Sequence, residues 1–205
     1  VVIRKKLRRS EVKPFFAKFP SCLVGMEACG TAHHWGRELT EVGHEVRLMP
    51  AAYVKPYIKR GKNDEVDAEA ICEAVTRPTM RFVPIKSTEQ QAVLMLHRTR
   101  DLLVRQRTML VNSLRGQLAE FGLVAPQGVW RLPQLQALAE DASGSVLPEP
   151  ARECAALILA QITDLQMRIR ELERVIMARH RANELSRRLA TIPGVGVITA
   201  TAMVA

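Results

Sequence analysis

Two long segments in the second half of the chain carry apolar residues at helical spacing. From about Thr88 to Glu120 there is no proline, and leucine and valine recur on one helix face. From Ala151 to about Arg188 the apolar positions alternate spacings of four and three, which is the a/d pattern of a coiled coil. These positions are Ile158, Ile162, Leu165, Ile169, Leu172 and Ile176. This half of the chain is therefore expected to form long helices rather than a layered sheet.

The pairing of these helices is open from the sequence. They can fold back as an antiparallel hairpin, joined by a Pro- and Gly-rich connector of about residues 122–150, or pair between subunits. We expect a hairpin that also offers a surface for self-association. Arg100 and Arg107 occupy positions where the first helix would otherwise be apolar. They are expected either to bind nucleic acid or to pair with acids across the hairpin.

The first half of the chain alternates short apolar runs with helical segments. Leu23 to Met26 is typical of a buried strand, and Glu27 follows at its carboxyl end. A helix is predicted from about Thr31 to Val42, and a second strand from His44 to Met49. Ligands of open α/β sheets bind beyond the carboxyl ends of the strands, so Glu27 is a candidate site residue.

An acidic cluster opens the next helix. Asp64 and Asp67 stand three residues apart, so both project from one helix face, where their oxygens could hold a divalent cation. Acids in a first helical turn are also expected from helix-dipole compensation alone, which is the alternative interpretation. A basic group precedes them, consisting of Lys55, Lys59, Arg60 and Lys62. This adjacency favours a site that brings a phosphodiester toward bound metal.

The charge balance indicates a nucleic-acid partner without specifying it. Thirty basic and twenty-one acidic residues give a formal charge of +9, which predicts salt-sensitive, largely sequence-independent affinity for phosphates. A solvated basic face is the alternative. The four cysteines lack paired metal-ligand spacing and are predicted to be buried or inert thiols without disulfides. No apolar run approaches the ~20 residues of a membrane span, so we expect a cytoplasmic protein with no membrane partner.

Several motifs in order resemble one known family, the DEDD transposases of bacterial insertion sequences, whose N-terminal domain is RuvC-like. The matching segments are Met26-Glu27-Ala28-Cys29-Gly30, Leu48-Met49-Pro50, Val54-Lys55-Pro56-Tyr57, Lys62-Asn63-Asp64-Glu65-Val66-Asp67-Ala68-Glu69-Ala70-Ile71 and Ile192-Pro193-Gly194-Val195-Gly196. The resemblance implies an α/β ribonuclease H-like domain over residues 1–86, a coiled-coil helical region over 87–188, and the start of a helical C-terminal domain over 189–205.

The resemblance also implies a chemistry. Glu27, Asp64 and Asp67 would be catalytic acids that bind Mg²⁺ in a two-metal site, cutting and transferring strands of transposon DNA. Gly194 and Gly196 resemble the turn of a helix-hairpin-helix unit, whose amides bind phosphate. A homo-oligomer is implied, and some members of the family are guided by a structured RNA.

Two features of the family are expected to lie outside this chain. Family members begin with a strand that carries the first aspartate, whereas Val1 appears within the basic strand that follows. Their nucleophilic serine lies beyond Ala205, and Ser186 is not expected to replace it. We therefore expect an internal or truncated piece of a longer recombinase. The alternatives are a non-catalytic remnant that binds nucleic acid or oligomerises, and a junction-resolving nuclease of the RuvC type.

Overall fold

The computed structural model describes residues 3–58, 64–126, 128, 131–141 and 146–205. The chain divides into two compact units, Val1–Thr88 and Glu89–Ala205, and each is described by itself. The first unit holds short helices and a small sheet, and the second holds the long helices.

The first unit alternates helices and strands along the chain. After a 3-10 turn at Arg9–Glu11, its elements are α1 (Val12–Phe16), β1 (Leu23–Glu27), α2 (Ala32–Glu41), β2 (Glu45–Met49), α3 (Ala51–Val54), a second 3-10 turn (Lys55–Tyr57) and α4 (Asp64–Val75). The predicted strand, helix and strand between residues 23 and 49 are confirmed. The predicted basic strand at the start is wrong for residues 3–8, which have no neighbouring strand to pair with in the described part of the chain.

The two strands pair in parallel and are covered by helices on both faces. Glu27 lies opposite Met49, and alternate residues of a strand point to opposite faces. Met49 is fully buried in a cluster with Val54 and with Ala70, Ala74 and Val75 of α4, so α4 covers this face. On the other face, Val24 and Met26 line a cavity together with Phe16 of α1 and Leu39 of α2. The unit is therefore a three-layer arrangement in which both sheet faces are protected from water.

The cysteines are more accessible than one of the two predicted alternatives. All four, Cys22, Cys29, Cys72 and Cys154, are free and exposed, so the alternative of buried thiols is wrong for them. Cys22 flanks β1 at the sheet border, where its backbone N–H donates to Nδ1 of the buried His44 at 3.2 Å. Position next to a short strand, rather than within it, leaves this thiol accessible.

The second unit consists of α5 (Thr88–Ala119), α6 (Leu132–Asp141), α7 (Glu149–Ala182), α8 (Glu184–Leu189) and α9 (Val197–Val204). The prediction for α5 is confirmed to within one residue at its end. The predicted continuation of α7 to Arg188 is wrong because Asn183 leaves helical geometry, with φ −113° and ψ 113°. Its side chain instead accepts a hydrogen bond from the Ser186 N–H at 2.8 Å and starts α8.

The two long helices pack against each other within one chain, in opposite directions. Leu118, near the end of α5, shares a core cluster with Ala155, near the start of α7. At the other end of the pair, Arg100 of α5 bonds Glu173 of α7. Every seventh residue of α7 is buried along this contact, namely Ala155, Ile162, Ile169 and Ile176. The helices thus adopt the hairpin alternative.

We expect the stability of the second unit to fall below about pH 6.5, the ordinary pKa of histidine. Burial, and then the positive charge of Arg100, lower the pKa of His97, whose Nε2 lies 3.1 Å from Thr201 Oγ1 on α9. Folding therefore favours neutral His97, and this contribution is complete above the unfolded pKa and is lost as the pH falls through the folded one. Denaturant unfolding at pH 7.5 and 5 measures it. His97→Gln should show the smaller pH dependence, and equal slopes would contradict the prediction.

Candidate metal and nucleic-acid site

The side chain of Glu27 emerges on the sheet face that α4 covers. Gly25 stands two residues before it on the same face, and a Cβ built on Gly25 would lie 3.0 Å from Ile71 Cγ2 and 3.1 Å from Val75 Cβ of α4. Opposite Glu27, Met49 belongs to the core cluster formed with α4. Glu27 itself is half-buried. The predicted strand-end acid therefore faces the predicted acidic helix.

The acids of α4 lie on the side of the helix that packs on β1. Asp64, Asp67 and Ile71 are spaced by three and four residues, so they share one face, and Ile71 is the residue that meets Gly25. Glu65 lies on another face and forms an ion pair with Arg4. Asp64 and Asp67 are exposed and have no ion-pair or side-chain hydrogen-bond partner among the described residues. Among the residues that the structure describes, no basic side chain pairs with the carboxylates of Asp64 and Asp67, whereas Arg4 neutralises that of Glu65.

The donor chemistry suits a divalent cation, although the described residues do not assemble a complete site. Glu27, Asp64 and Asp67 offer only carboxylate oxygens, the ligands that Mg²⁺ and Mn²⁺ prefer. In the part of the chain that the structure describes, no three His, Cys, Asp or Glu side chains are grouped closely enough to share a metal ion. The structure places Glu27 on β1 and the two aspartates on the helix that packs against it.

The predicted basic group is described only at its first residue. Lys55 is exposed and opens the 3-10 turn that follows α3. Lys59, Arg60 and Lys62 lie outside the described residues.

The two arginines singled out on α5, Arg100 and Arg107, have different environments in the structure. Arg100 donates from Nε and Nη2 to Glu173 Oε1 at 2.9 and 2.6 Å, so the alternative of pairing across the hairpin holds for it. Arg107 has a buried Nε without a hydrogen-bond partner, and no acid pairs with it among the described residues. Sequence spacing placed both residues on the hairpin contact but could not distinguish a paired guanidinium from an unpaired one.

Reversing the charge of Arg100 should weaken the hairpin without weakening nucleic-acid binding. Arg100→Glu places two acids together, and we expect a loss of about 1–2 kcal/mol, kept small because both partners are partly exposed to water. Thermal unfolding and binding of labelled DNA measure the two effects. The charge swap Arg100→Glu/Glu173→Arg should restore stability. A large loss of DNA affinity in the swapped variant would assign Arg100 to the nucleic-acid interface instead.

Only one of the two predicted tail glycines needs its conformational freedom. Gly194 has φ +85° in a turn closed by the Val195 N–H to Ile192 O hydrogen bond of 3.0 Å, with Pro193 before it. Gly196 has φ −81° and is the N-cap of α9. Both are exposed, and the turn joins α8 to α9.

Gly25 is the site-related residue that the sequence analysis missed. Its signal was present, since a glycine inside an apolar strand often marks close backbone approach by another element. What could not be read from the sequence was which element approaches.

Acids at the end of a parallel strand and on the helix that covers it are typical of ribonuclease H-like enzymes that act on nucleic acids. Sequence comparison gives a family of enzymes of this kind. Residues 5–122 match the DEDD family of the IS110 type, described as "Transposase". The chain is 50% identical over 201 residues to the putative transposase y4pF/y4sB of Sinorhizobium fredii, covering 98% of this chain and 51% of the relative.

Two further relatives are similar along their shared length. The probable family 20 transposase of Pseudomonas aeruginosa is 48% identical over 206 residues, covering 100% of this chain and 61% of the relative. The transposase for insertion sequence element IS1328 of Yersinia enterocolitica is 38% identical over 200 residues, covering 98% and 59%. The chain therefore spans between half and two thirds of these relatives, and it belongs to the DEDD transposase family of the IS110 type.

None of the helices described in the structure is long and apolar enough to cross a membrane.

Proposed function

We propose that this chain carries the acidic half-site and the helical arm of an insertion-sequence transposase that binds element DNA and cuts and transfers its strands with divalent metal. The supporting observation is that Asp64 and Asp67 occupy the face of α4 that packs on β1, toward the face from which Glu27 emerges. Family membership supports the reaction class, and we assign residues 1–86 to a RuvC-like nuclease domain, 87–188 to the coiled-coil region and 189–205 to the start of a helical C-terminal domain.

In this proposal Glu27, Asp64 and Asp67 are the metal-holding residues, and Mg²⁺ is the expected ion. When bound, such metals activate the attacking oxygen and stabilise the leaving oxygen of a phosphodiester. The protein's own contribution is to fix the carboxylates on a packed strand and helix, so that little reorganisation accompanies binding. Lys55, with Lys59, Arg60 and Lys62, would hold phosphates beside these acids.

The remaining partners are extensions of the same proposal. Gly194 and Gly196 place the exposed start of α9 where backbone N–H groups can meet a phosphate. Self-association is proposed through an exposed apolar row on α5, made of Met95, Leu102 and Met109 at heptad spacing. A structured guide RNA would suit the same basic surfaces as DNA. A non-catalytic remnant is the second candidate, favoured by the absence of an assembled three-residue metal cluster in the described part of the chain.

The test is Mn²⁺ binding by calorimetry with this chain. Asp64→Asn/Asp67→Asn should lose binding, whereas Glu65→Gln should retain it because that carboxylate is already paired with Arg4. Circular dichroism checks that each variant is folded. Equal binding by the double variant would show that the cluster only starts a helix, and the non-catalytic alternative would then stand.

A further inference from the structure

One residue at the contact between the two acid-bearing elements, Gly25 of β1, has no side chain. A Cβ on Gly25 would meet Ile71 Cγ2 at 3.0 Å, Val75 Cβ at 3.1 Å and Val75 Cγ2 at 3.2 Å. These distances are shorter than ordinary van der Waals contact, so any side chain at this position requires α4 or its side chains to move.

Backbone strain does not explain this glycine. Its φ lies outside the left-handed region, and it sits within a regular parallel strand opposite Arg47. Any residue could adopt that backbone, and an apolar residue would be favoured by β propensity. Because glycine has no side chain, the strand and the helix can pack more closely at this position.

The position of the contact connects it to both groups of acids. Gly25 lies two residues from Glu27 on the same face of β1. Ile71, which touches it, lies one helical turn from Asp67 and two turns from Asp64 on the same face of α4. A change in the strand-to-helix distance at Gly25 therefore changes the separation of the carboxylates that the two elements carry.

We infer that Gly25 is a positioning residue for the metal site, setting by close packing with Ile71 and Val75 the distance between Glu27 on β1 and Asp64 and Asp67 on α4. The inference rests on the proposed function for the existence of the metal site. The positioning role itself rests on the close packing of Gly25 against α4. Glycine is required at this position because the side chains of Ile71 and Val75 on α4 leave no room for a Cβ.

The experiment is a size series, Gly25→Ala and Gly25→Val, with Mn²⁺ affinity measured by calorimetry well below each melting temperature. Because residues that orient metal ligands typically change metal affinity by about 10- to 100-fold, we expect roughly 10-fold weaker binding for alanine and about 100-fold for valine. Gly30→Ala is the matched control, since a Cβ there has no atom within 4 Å and Gly30 follows the same strand. A purely structural role would lower the melting temperature but leave the affinity of the folded protein unchanged.

A size-compensating variant sharpens the result. Gly25→Ala/Ile71→Ala removes the atom at 3.0 Å and should recover part of the lost affinity even though it creates a smaller core. Wild-type affinity in a folded Gly25→Val protein would overturn the inference.

Failure of the proposed function gives a different pattern. If the wild-type protein binds no Mn²⁺, the metal proposal fails, and a crystal structure of Gly25→Val then decides the positioning role. Displacement of α4 relative to Glu27 would uphold that role, and an unmoved helix would refute it.

Discussion

Glu27→Gln should abolish DNA cleavage while leaving the protein folded and able to bind DNA. A metal-bound carboxylate contributes several kcal/mol to charge stabilisation in such reactions, so we expect a loss on the order of 10³-fold in cleavage rate. The substitution keeps the shape of a half-buried side chain and removes only its charge. Fold and packing against Met49 should therefore persist, which isolates the chemical role from the structural one.

The assay uses this sequence joined to the remaining segments of the Pseudomonas aeruginosa relative, with element-end DNA and Mg²⁺. Asp67→Asn should show a comparable loss, and Glu65→Gln should cleave at the wild-type rate, because its carboxylate pairs with Arg4 on another face of α4. Binding is followed separately by fluorescence anisotropy. Undiminished cleavage by folded Glu27→Gln would remove the acid from the proposed site.

Ile169→Asp should unfold the second unit. Ile169 is 3% exposed in the row of α7 that packs along the hairpin, so the variant loses a buried side chain and places a charge among apolar groups. We expect a cost of about 5 kcal/mol or more, which is comparable to the whole stability of a typical domain. Helical circular dichroism at 222 nm should fall sharply, since most of the long helices belong to this unit.

Met167→Asp provides the matched control two residues away. Met167 is 52% exposed, so the same charge meets water and the effect should stay within about 0.5 kcal/mol. A similar loss for both substitutions would contradict the prediction, because the cost would then not depend on burial in the hairpin.

The sequence predicted best those parts that depend on local pattern. Helix α5 and both strands follow from apolar runs and their periodicity, because these are properties of neighbours along the chain. The end of α7 was misplaced because no proline or glycine between Ile176 and Arg188 marks a stop, and the cap at Asn183 depends on its hydrogen bond with Ser186. The exposure of the cysteines could not be predicted, because it depends on which residues the fold places beside each thiol.

The candidate site also has features that local sequence predicts and features that only the fold reveals. Spacing alone predicted that Asp64 and Asp67 share a face, and the order of strand and acid pointed to Glu27. The contact of Gly25 with Ile71 joins residues far apart in sequence, so it needed the fold. The choice between pairing and nucleic-acid binding for Arg100 likewise depended on locating Glu173, which lies on the other arm of the hairpin.

The hairpin also constrains how this chain can vary in length. Its arms contain 32 and 34 residues, about 50 Å each, and they are held in register by a buried row that repeats every seven residues. One inserted residue would rotate everything beyond it by about 100° and turn that row toward water. Natural length variants should therefore gain or lose whole heptads in both arms together, so that the arm lengthens in discrete steps of about 10 Å.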